Sequence, residues 1–530
     1  MKVVRRLVKA TAALAVAALL STGAVAQPQP AETITVDTFR LEGMKSLRPE
    51  LAQQVLEAYR GRPLTFAELE RAAQAVSELY REHDFFTVSS YLPRQELQDG
   101  SVTIKVVEST INEVKIEGNK HYDTGYIDWM LDPIRIEAER ADGLPLRSIV
   151  QRQLLLLNDN TDLTARSYVR KAEGSDKVDL VIEIEDEHPV HFSFDYNNLG
   201  ARSSGRNRLG ATFEWGNFTN RADSLTLRYV ESDLLNADTK GVDLFSLAYR
   251  SPLNNVGTNF NFSYANSAFQ AGQELQILDI RGDADVFSLI VDHAILRGPN
   301  ANLTVNGGFI FQDIENTILG TRLSQDRLRE FTFGLQGDWT SGHGRNYGAL
   351  QITQDLGTAL GGKSPNDPTS SRQAGGGFTK MTFDLGRVQR FNEELYAIVR
   401  GHHQAAFAPL PFAEQYGLGG ISTVRGYVQS AFLGDAGYNV NAELRWAPLE
   451  KHREMLEIGF FLDHGAASVK RPFPGELNHV SVTGAGMGVH LKLPQDYNIR
   501  AEVGLPIGRN EITDRDGSGV VPYLIFNKRF

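Results

Sequence analysis

From residue 191 to the C-terminus, apolar and polar residues alternate in segments of roughly ten, the length a tilted strand needs to cross a bilayer. In Ser224–Tyr229, Leu225, Leu227 and Tyr229 share one face, and Ser224, Thr226 and Arg228 share the other. In Asn441–Trp446, Ala442, Leu444 and Trp446 oppose Asn441, Glu443 and Arg445. In Asn498–Val503, Ile499, Ala501 and Val503 oppose Asn498, Arg500 and Glu502. Turn-forming Asp, Asn and Gly separate the segments. One apolar and one charged face suits a strand with lipid outside and water inside, although alternation alone also suits a soluble sandwich. Counting segments predicts about sixteen antiparallel strands, from near 190–199 to near 520–530.

Residues 33–188 have a different texture. Ile34–Leu41 alternates as a strand, and Pro49–Tyr59 and Phe66–Tyr80 show helical spacing. The second helix gathers Leu69, Ala72, Ala73, Val76, Leu79 and Tyr80 on one face, with Thr65 and Glu68 placed for a capping box. Phe86–Tyr91 and Ser101–Val107 follow as strands. The same β-α-α-β-β order then repeats. A strand at Ile111–Ile116 precedes a helix from Tyr126–Met130, which Pro133 is expected to stop. A helix at Leu146–Leu157 and strands at Leu163–Arg170 and Lys177–Glu185 complete the repeat. The expected fold is a β-dominated α+β chain: modules at 33–110 and 111–188, then a barrel at 190–530.

The N-terminus, the roughly 340-residue extent of the alternation and the C-terminal strand ending in Phe530 together decide between sandwich and membrane barrel. Lys2, Arg5, Arg6 and Lys9 precede a short apolar core, Ala10–Leu20, and Ala24-Val25-Ala26 supplies a small-residue cleavage site. Residues 1–26 read as a secretory signal peptide. No later run is long and apolar enough for a transmembrane helix, while a mean hydropathy of −0.28 is compatible with barrel strands. The 530 residues include no cysteine, which excludes a disulfide framework, thiol chemistry and a lipid-bearing cysteine. The net charge of −11 is concentrated in 27–190 and argues against a nucleic-acid partner.

A barrel of this size has a lumen too wide for strand side chains to fill. Two long polar stretches, Ser364–Gly377 and Ala408–Gly437, are candidates to enter it. The first contains KSPNDPTSS, the composition of an exposed loop tip. The second contains Leu418–Gln429 (LGGISTVRGYVQ), with Arg425 between Val424 and Gly426. Further on, Phe461 and Asp463 share the face opposite Phe460 and Leu462. If the latter pair meets lipid, Asp463 points inward, where a guanidinium can bind it bidentately. Glu443 faces the same way and is a candidate second partner.

Other motifs carry little chemistry. Gly484-Ala485-Gly486-Met487-Gly488 lies in a strand pattern with no helix after it, so it reads as a small-residue stripe and not a phosphate loop. Asp514-Arg515-Asp516-Gly517 resembles part of a calcium loop without its glutamate, and reads as a turn. His402 and His403 are adjacent on a strand and cannot ligate one metal. No Ser/His/Asp set has a recognisable spacing. No catalytic residue, metal or cofactor is expected, and the chain does not read as an enzyme.

The module order, the word Tyr91-Leu92-Pro93-Arg94-Gln95-Glu96-Leu97 with Gly100-Ser101-Val102, and the word Leu154-Leu155-Leu156-Leu157-Asn158-Asp159 resemble the POTRA domains of two-partner secretion transporters. These are the TpsB family, ShlB/FhaC/HecB-like, within the BamA/TamA superfamily. In that superfamily V-R-G-F/Y at the tip of the sixth extracellular loop meets F-x-D-x-G on the inner wall. Val424, Arg425, Gly426 and Tyr427 match the first motif, and Phe461, Asp463 and Gly465 match the second. The terminal Phe530, with Leu524 and Phe526 on its parity and Lys528 interrupting, resembles the insertion signal of outer-membrane barrels. The resemblance implies two periplasmic POTRA domains and a 16-stranded transmembrane barrel with an inward-folded loop, in a Gram-negative outer membrane. It implies capture and secretion of an unfolded, hemolysin- or adhesin-like partner exoprotein. The lipid bilayer and, during biogenesis, the barrel-assembly machinery would be its other partners. A BamA/TamA-like insertion factor is the alternative, and a passive porin would leave the modules unexplained. FhaC-like members begin with a plug helix, for which Gln27–Glu32 leaves no room. The resting pore is therefore expected to be closed by the inward loop and other loops alone.

Overall fold

The computed structural model describes residues 33–530, apart from 97–99, 141–143, 145, 202–203, 234–240, 509–511 and 513–518 and the side chains of 273 and 274. The expected signal segment and the Asp514–Gly517 turn lie outside the described residues. The chain divides into two compact units at Thr110/Ile111.

The first unit contains β1 (Thr33–Thr35), β2 (Thr38–Glu42), α1 (Pro49–Leu56), β3 (Pro63–Thr65), α2 (Phe66–Glu82), β4 (Val88–Tyr91) and β5 (Ser101–Glu108). β5 lies between β2, parallel to it, and β4, antiparallel. The apolar face of α2 is buried on this sheet. Its capping box forms: Glu68 N donates to Thr65 Oγ1 at 3.3 Å, and Thr65 N to Glu68 Oε2 at 2.8 Å. That amide, then Arg62 and the Thr65 hydroxyl, hold the Glu68 carboxyl down at about 2. Gln95 exchanges two bonds with the Thr103 backbone, at 2.7 and 2.8 Å, where β4 no longer covers β5. One residue of the Tyr91–Leu97 word thus completes a strand edge.

In the second unit, β6 (Ile111–Glu117), α3 (Thr124–Arg140), α4 (Arg147–Leu157), β7 (Leu163–Lys171) and β8 (Val178–Asp186) repeat that topology, with β8 between parallel β6 and antiparallel β7. One expectation is corrected. Pro133 does not stop α3, which continues to Arg140. The N–H that proline lacks would have gone to the Trp129 carbonyl. That oxygen instead accepts Asn255 Nδ2 at 2.9 Å, so the interruption leaves no orphan acceptor.

The rest of this unit is β9 (Val190–Asn197), β10 (Arg208–Trp215), β11 (Ser224–Ser232), β12 (Gly241–Pro252), β13 (Thr258–Gln270), β14 (Arg281–Arg297), β15 (Ala301–Ile318), β16 (Thr321–Ser341), β17 (Gly344–Asp355), β18 (Thr379–Arg390), β19 (Leu395–Ala406), β20 (Tyr416–Leu418), β21 (Phe432–Gly434), β22 (Ala436–Trp446), β23 (Leu456–Ser468), β24 (His479–Leu493), β25 (Tyr497–Ile507) and β26 (Val521–Arg529). Among the described residues, β9–β19 and β22–β26 close into a sixteen-stranded antiparallel barrel, with β26 paired to β9. No free edge is left. Outward positions carry apolar side chains, among them the half-buried Phe262, Phe287 and Phe311, whose rings meet edge-on at 5.1 and 6.0 Å. Inward positions are mostly polar, with an apolar patch of Ala467, Val480 and Val482 on one side.

Strand length varies around the wall. β9 has 8 residues and β16 has 21. At about 3.3 Å per residue, β16 extends far past what a bilayer core of about 30 Å requires. Its first part, Thr321–Arg329, stands beyond the pairing with β17, which begins at Glu330↔Asp355. The 356–378 loop covers that edge: its KSPNDPTSS tip is exposed at Ser364, Pro365, Asn366, Pro368 and Thr369, as its composition suggests, while Ser370 and Ser371 are buried against β16. Gln325 N donates to Thr369 O at 2.8 Å and Lys363 N to Arg327 O at 3.2 Å. The buried Asp326 accepts from Ser371 N at 3.0 Å and from Ser371 Oγ at 2.6 Å. A polar composition conceals this docking, because the partners are one carboxylate and the backbone of an overhanging strand. Arg372 carries the contact onward. Its guanidinium lies over the rings of Phe473 and Phe412, pairs with Glu476 and donates to Arg471 O at 3.0 Å. The 356–378, 407–435 and 469–478 loops are tied together at the end of the barrel far from the 111–188 module.

Candidate functional site

The 407–435 loop turns back into the lumen. β20 and β21 form a short hairpin whose apolar residues pack against the inner wall: Tyr416, Leu418, Val424 and Tyr427 bury themselves with Ala467, Val480 and Val482. Gly419, Gly420 and Gly426 have φ of 103°, 102° and 100°, which lets the chain reverse at the tip. The wall is recessed to receive it. A Cβ at Gly484 would lie 1.7 Å from the Arg425 carbonyl oxygen, and one at Gly504 2.4 Å from Gly426 N. One at Gly465 would meet Val424 Cγ2 at 3.0 Å. The small-residue stripe around Gly484 is thus the floor on which the loop tip rests.

Arg425 is the centre of the site. Its Nε donates to Asp463 Oδ2 at 2.7 Å, its Nη2 to Oδ1 at 2.9 Å, and its backbone N to Oδ2 at 3.1 Å. Nη1 donates to Glu443 Oε2 and to Glu502 Oε2, each at 3.2 Å. The guanidinium carbon sits 3.5 Å from the Phe461 ring centroid. All these groups are buried, Asp463 completely. The carboxylates have further partners. Arg445 bridges Glu443 and Glu457 at 2.7 and 3.0 Å, and Glu502 also holds Arg500 at 2.6 Å and His490 at 3.0 Å. Tyr523 on β26 clamps the backbone next to Arg425: its hydroxyl accepts from Gly426 N at 2.9 Å and donates to Tyr427 O at 2.8 Å. Tyr427 OH donates to Thr483 O at 3.1 Å.

Val424, Arg425, Gly426, Tyr427, Phe461, Asp463, Gly465 and Glu443 therefore meet in one place. Phe530 lies elsewhere, at the seam. Its backbone N donates to Phe192 O at 2.8 Å, and its ring meets Phe194 edge-on at 6.0 Å. Lys528, which interrupts the apolar parity, lies over the rings of Tyr497 and Phe530 at 4.5 and 4.7 Å. Glu502 and Tyr523 were not singled out from the sequence. Alternation places Glu502 on the inner face, but only strand register across β22–β25 brings it to the height of Arg425. Glu443, His490 and Glu502 could by spacing hold a cation. Their carboxylates already face Arg425, Arg445 and Arg500, so arginine fills the role a metal ion would have there. His402 points inward to Asp384 at 2.7 Å and stacks on Tyr416, while His403 faces outward.

A closed transmembrane barrel with the 111–188 module at one end and its own loop bound in the lumen defines a POTRA-bearing outer-membrane transporter. Residues 176–491 match the family of haemolysin secretion/activation proteins ShlB/FhaC/HecB, and residues 34–109 match the ShlB-type POTRA domain. The chain belongs to that haemolysin secretion/activation family, the transporters of two-partner secretion. It is 22% identical over 468 residues to the heme/hemopexin transporter protein HuxB of Haemophilus influenzae, covering 87% of this chain and 81% of the relative. In structure it is similar to CdiB from Escherichia coli, with a TM-score of 0.72 at 18% identity over 97% of this chain and 93% of that one. It is also similar to BamA from Haemophilus ducreyi lacking POTRA domains 1–3, with a TM-score of 0.60 at 13% identity over 94% of this chain and 100% of that one. The barrel resides in the outer membrane and POTRA domains of this family in the periplasm, so the 356–378, 407–435 and 469–478 loops are extracellular. Members of the family translocate partner proteins across that membrane.

Proposed function

We propose that this chain captures an unfolded hemolysin- or adhesin-like exoprotein with modules 33–110 and 111–188 and passes it through the 190–530 barrel. The observation that carries the reading is the loop tip held in the lumen by Arg425. Its hold consists of hydrogen bonds and ion pairs to Asp463, Glu443 and Glu502, contacts that can be exchanged without opening the wall. The edge strands β4 and β7 offer backbone groups to which an extended client can add as a further strand. Inner-face positions Thr226, Ser246, Asn261, Ser263, Ser288 and Asn306 supply hydroxyls and amides across the lumen from the bound loop. Phe530 serves as the signal by which the barrel-assembly machinery inserts the chain. The test is deletion of 33–110, with the secreted and outer-membrane proteomes compared by mass spectrometry. Loss of one secreted polypeptide supports the reading. A general loss of outer-membrane proteins would replace it with an insertion factor.

A further inference from the structure

Beside the Asp162–His191 pair and the bond from Asn217 Nδ2 to His121 O, part of the contact between the 111–188 module and the barrel is built from backbone carbonyls that each side leaves open. On the barrel, β14 and β15 slip register between Ala294 and Leu296, a bulge that takes Ile295 out of the ladder. The carbonyls of Ala294 and Ile295, with that of Val256 in the neighbouring 253–257 turn, form a socket of acceptors. Arg152 of α4 fills it. Nη2 donates to Val256 O at 2.8 Å and to Ala294 O, and Nη1 donates to Ile295 O at 3.4 Å. On the module, Pro133 frees the Trp129 carbonyl, and Asn255 of the same barrel turn caps it at 2.9 Å. Leu156 packs where a Cβ on Gly257 would lie 3.0 Å from its Cδ2, and Asp159 pairs with Arg297. The Leu154–Asp159 word, which the lumen site leaves unused, is therefore part of this joint.

We propose that Arg152 and Asn255 form a reciprocal carbonyl-capping joint that fixes the angle of the 111–188 module on the barrel rim, and that Arg152 is a positioning residue for client delivery. Several divergent N–H groups in one plane match three carbonyls, two from the β14 bulge and one from the 253–257 turn. A lysine ammonium, a point charge on a flexible stem, cannot span them in the same way. The joint stands on geometry alone, whereas its role in delivery rests on the secretion reading above.

The chain has no cysteine, so labels can be placed cleanly. Nitroxides are attached at exposed positions 176 and 450 of the full-length transporter in lipid nanodiscs, and their distance distribution is measured by pulsed electron resonance. The unmodified joint should give a narrow distribution. Arg152→Ala and Asn255→Ala should each widen it at least twofold, with Arg152→Lys intermediate. Asn255 lies on a barrel turn, so its replacement tests the joint even where the Arg152 variant fails to fold. Unchanged width in both alanine variants would overturn the joint. Release of the transporter-dependent polypeptide should fall about tenfold in Arg152→Ala. It should recover when cysteines at 159 and 297 are bridged by a short bis-thiosulfonate. Widening with undiminished release, or no recovery on bridging, would overturn the positioning role. Absence of any polypeptide dependent on the unmodified chain would instead count against the secretion reading and leave the joint intact.

Discussion

Replacing Arg425 with alanine removes a cation that faces Asp463, Glu443 and Glu502 together. Asp463 is fully buried and loses the two hydrogen bonds from the Arg425 guanidinium, keeping that from the backbone amide of residue 425. Breaking a buried pair by removing one member costs about 3–5 kcal/mol, because the remaining charge stays desolvated. The loss of a guanidinium lying on the Phe461 ring adds up to about 2 kcal/mol where the site is dry. Taking the lower figure alone, the docked state of the tip loses about two orders of magnitude in population. The base of the loop keeps its apolar contacts and the tip keeps the Tyr523 clamp, so the barrel should assemble and run as a heat-modifiable band.

The expected result is a higher and noisier resting conductance in planar bilayers, together with impaired release of the transporter-dependent polypeptide. Arg425→Lys should be intermediate, since it keeps the charge and loses the fork and the ring stacking. The charge swap Arg425→Asp with Asp463→Arg should not restore function, because the aspartate at 425 would then face Glu443 and Glu502. A simple two-residue pair would be rescued by the swap. Normal conductance and secretion by Arg425→Ala would refute the reasoning.

Tyr523→Phe strands Gly426 N and Tyr427 O, at about 1–3 kcal/mol for an unsatisfied buried group, and should raise resting conductance while the charged cluster stays intact. Arg372→Ala unties Glu476 and Arg471 O from the 356–378 loop. Added protease should then cleave the 356–378 and 469–478 loops on intact cells faster than in the unmodified protein. In the periplasmic module, burial raises the Asp186 carboxyl, but the amides of Lys120, Tyr122 and His121 outweigh it and hold the group below the usual carboxylate range. A carboxyl depressed on folding contributes stability above its unfolded value of about 3.9. That stability is lost as pH falls through the folded value. Hydrogen exchange across 111–188 should therefore quicken below about pH 4, and Asp186→Asn should quicken it at neutral pH and flatten the acid dependence.

The parity of each strand could be read from the sequence because lipid and water lie on opposite faces, and a period of two reports that difference directly. Thus Leu444 and Trp446 lie outside while Glu443 and Arg445 lie inside, and the closed sheet follows from repeating that pattern. Height along the wall could not be read in the same way. Glu502 and Tyr523 reach Arg425 because register sets Gly486↔Gly504 and Glu502↔Tyr523 across three strands, and alternation carries no register. Pro133 misled for a related reason. A proline ends a helix when the freed carbonyl finds no donor, and here the donor, Asn255, is more than a hundred residues away on the barrel.

These placements separate two tasks that a single inward loop could have combined. The extracellular knot of Asp326, Ser371, Arg372 and Glu476 joins loops to one another and to the overhang of β16. The Arg425 cluster joins the loop tip to the wall, on β22, β23 and β25, with Tyr523 extending the contact to β26. An ion pair with one partner is either made or broken. A guanidinium shared among three carboxylates, each also held by another group or by backbone, can lose its bonds in turn without leaving a bare charge at every step. Movement of the tip then requires no break in the closed ladder from β9 to β26. Because the knot and the cluster share no residue, their variants should act independently, Arg372→Ala on loop accessibility and Arg425→Ala on the lumen.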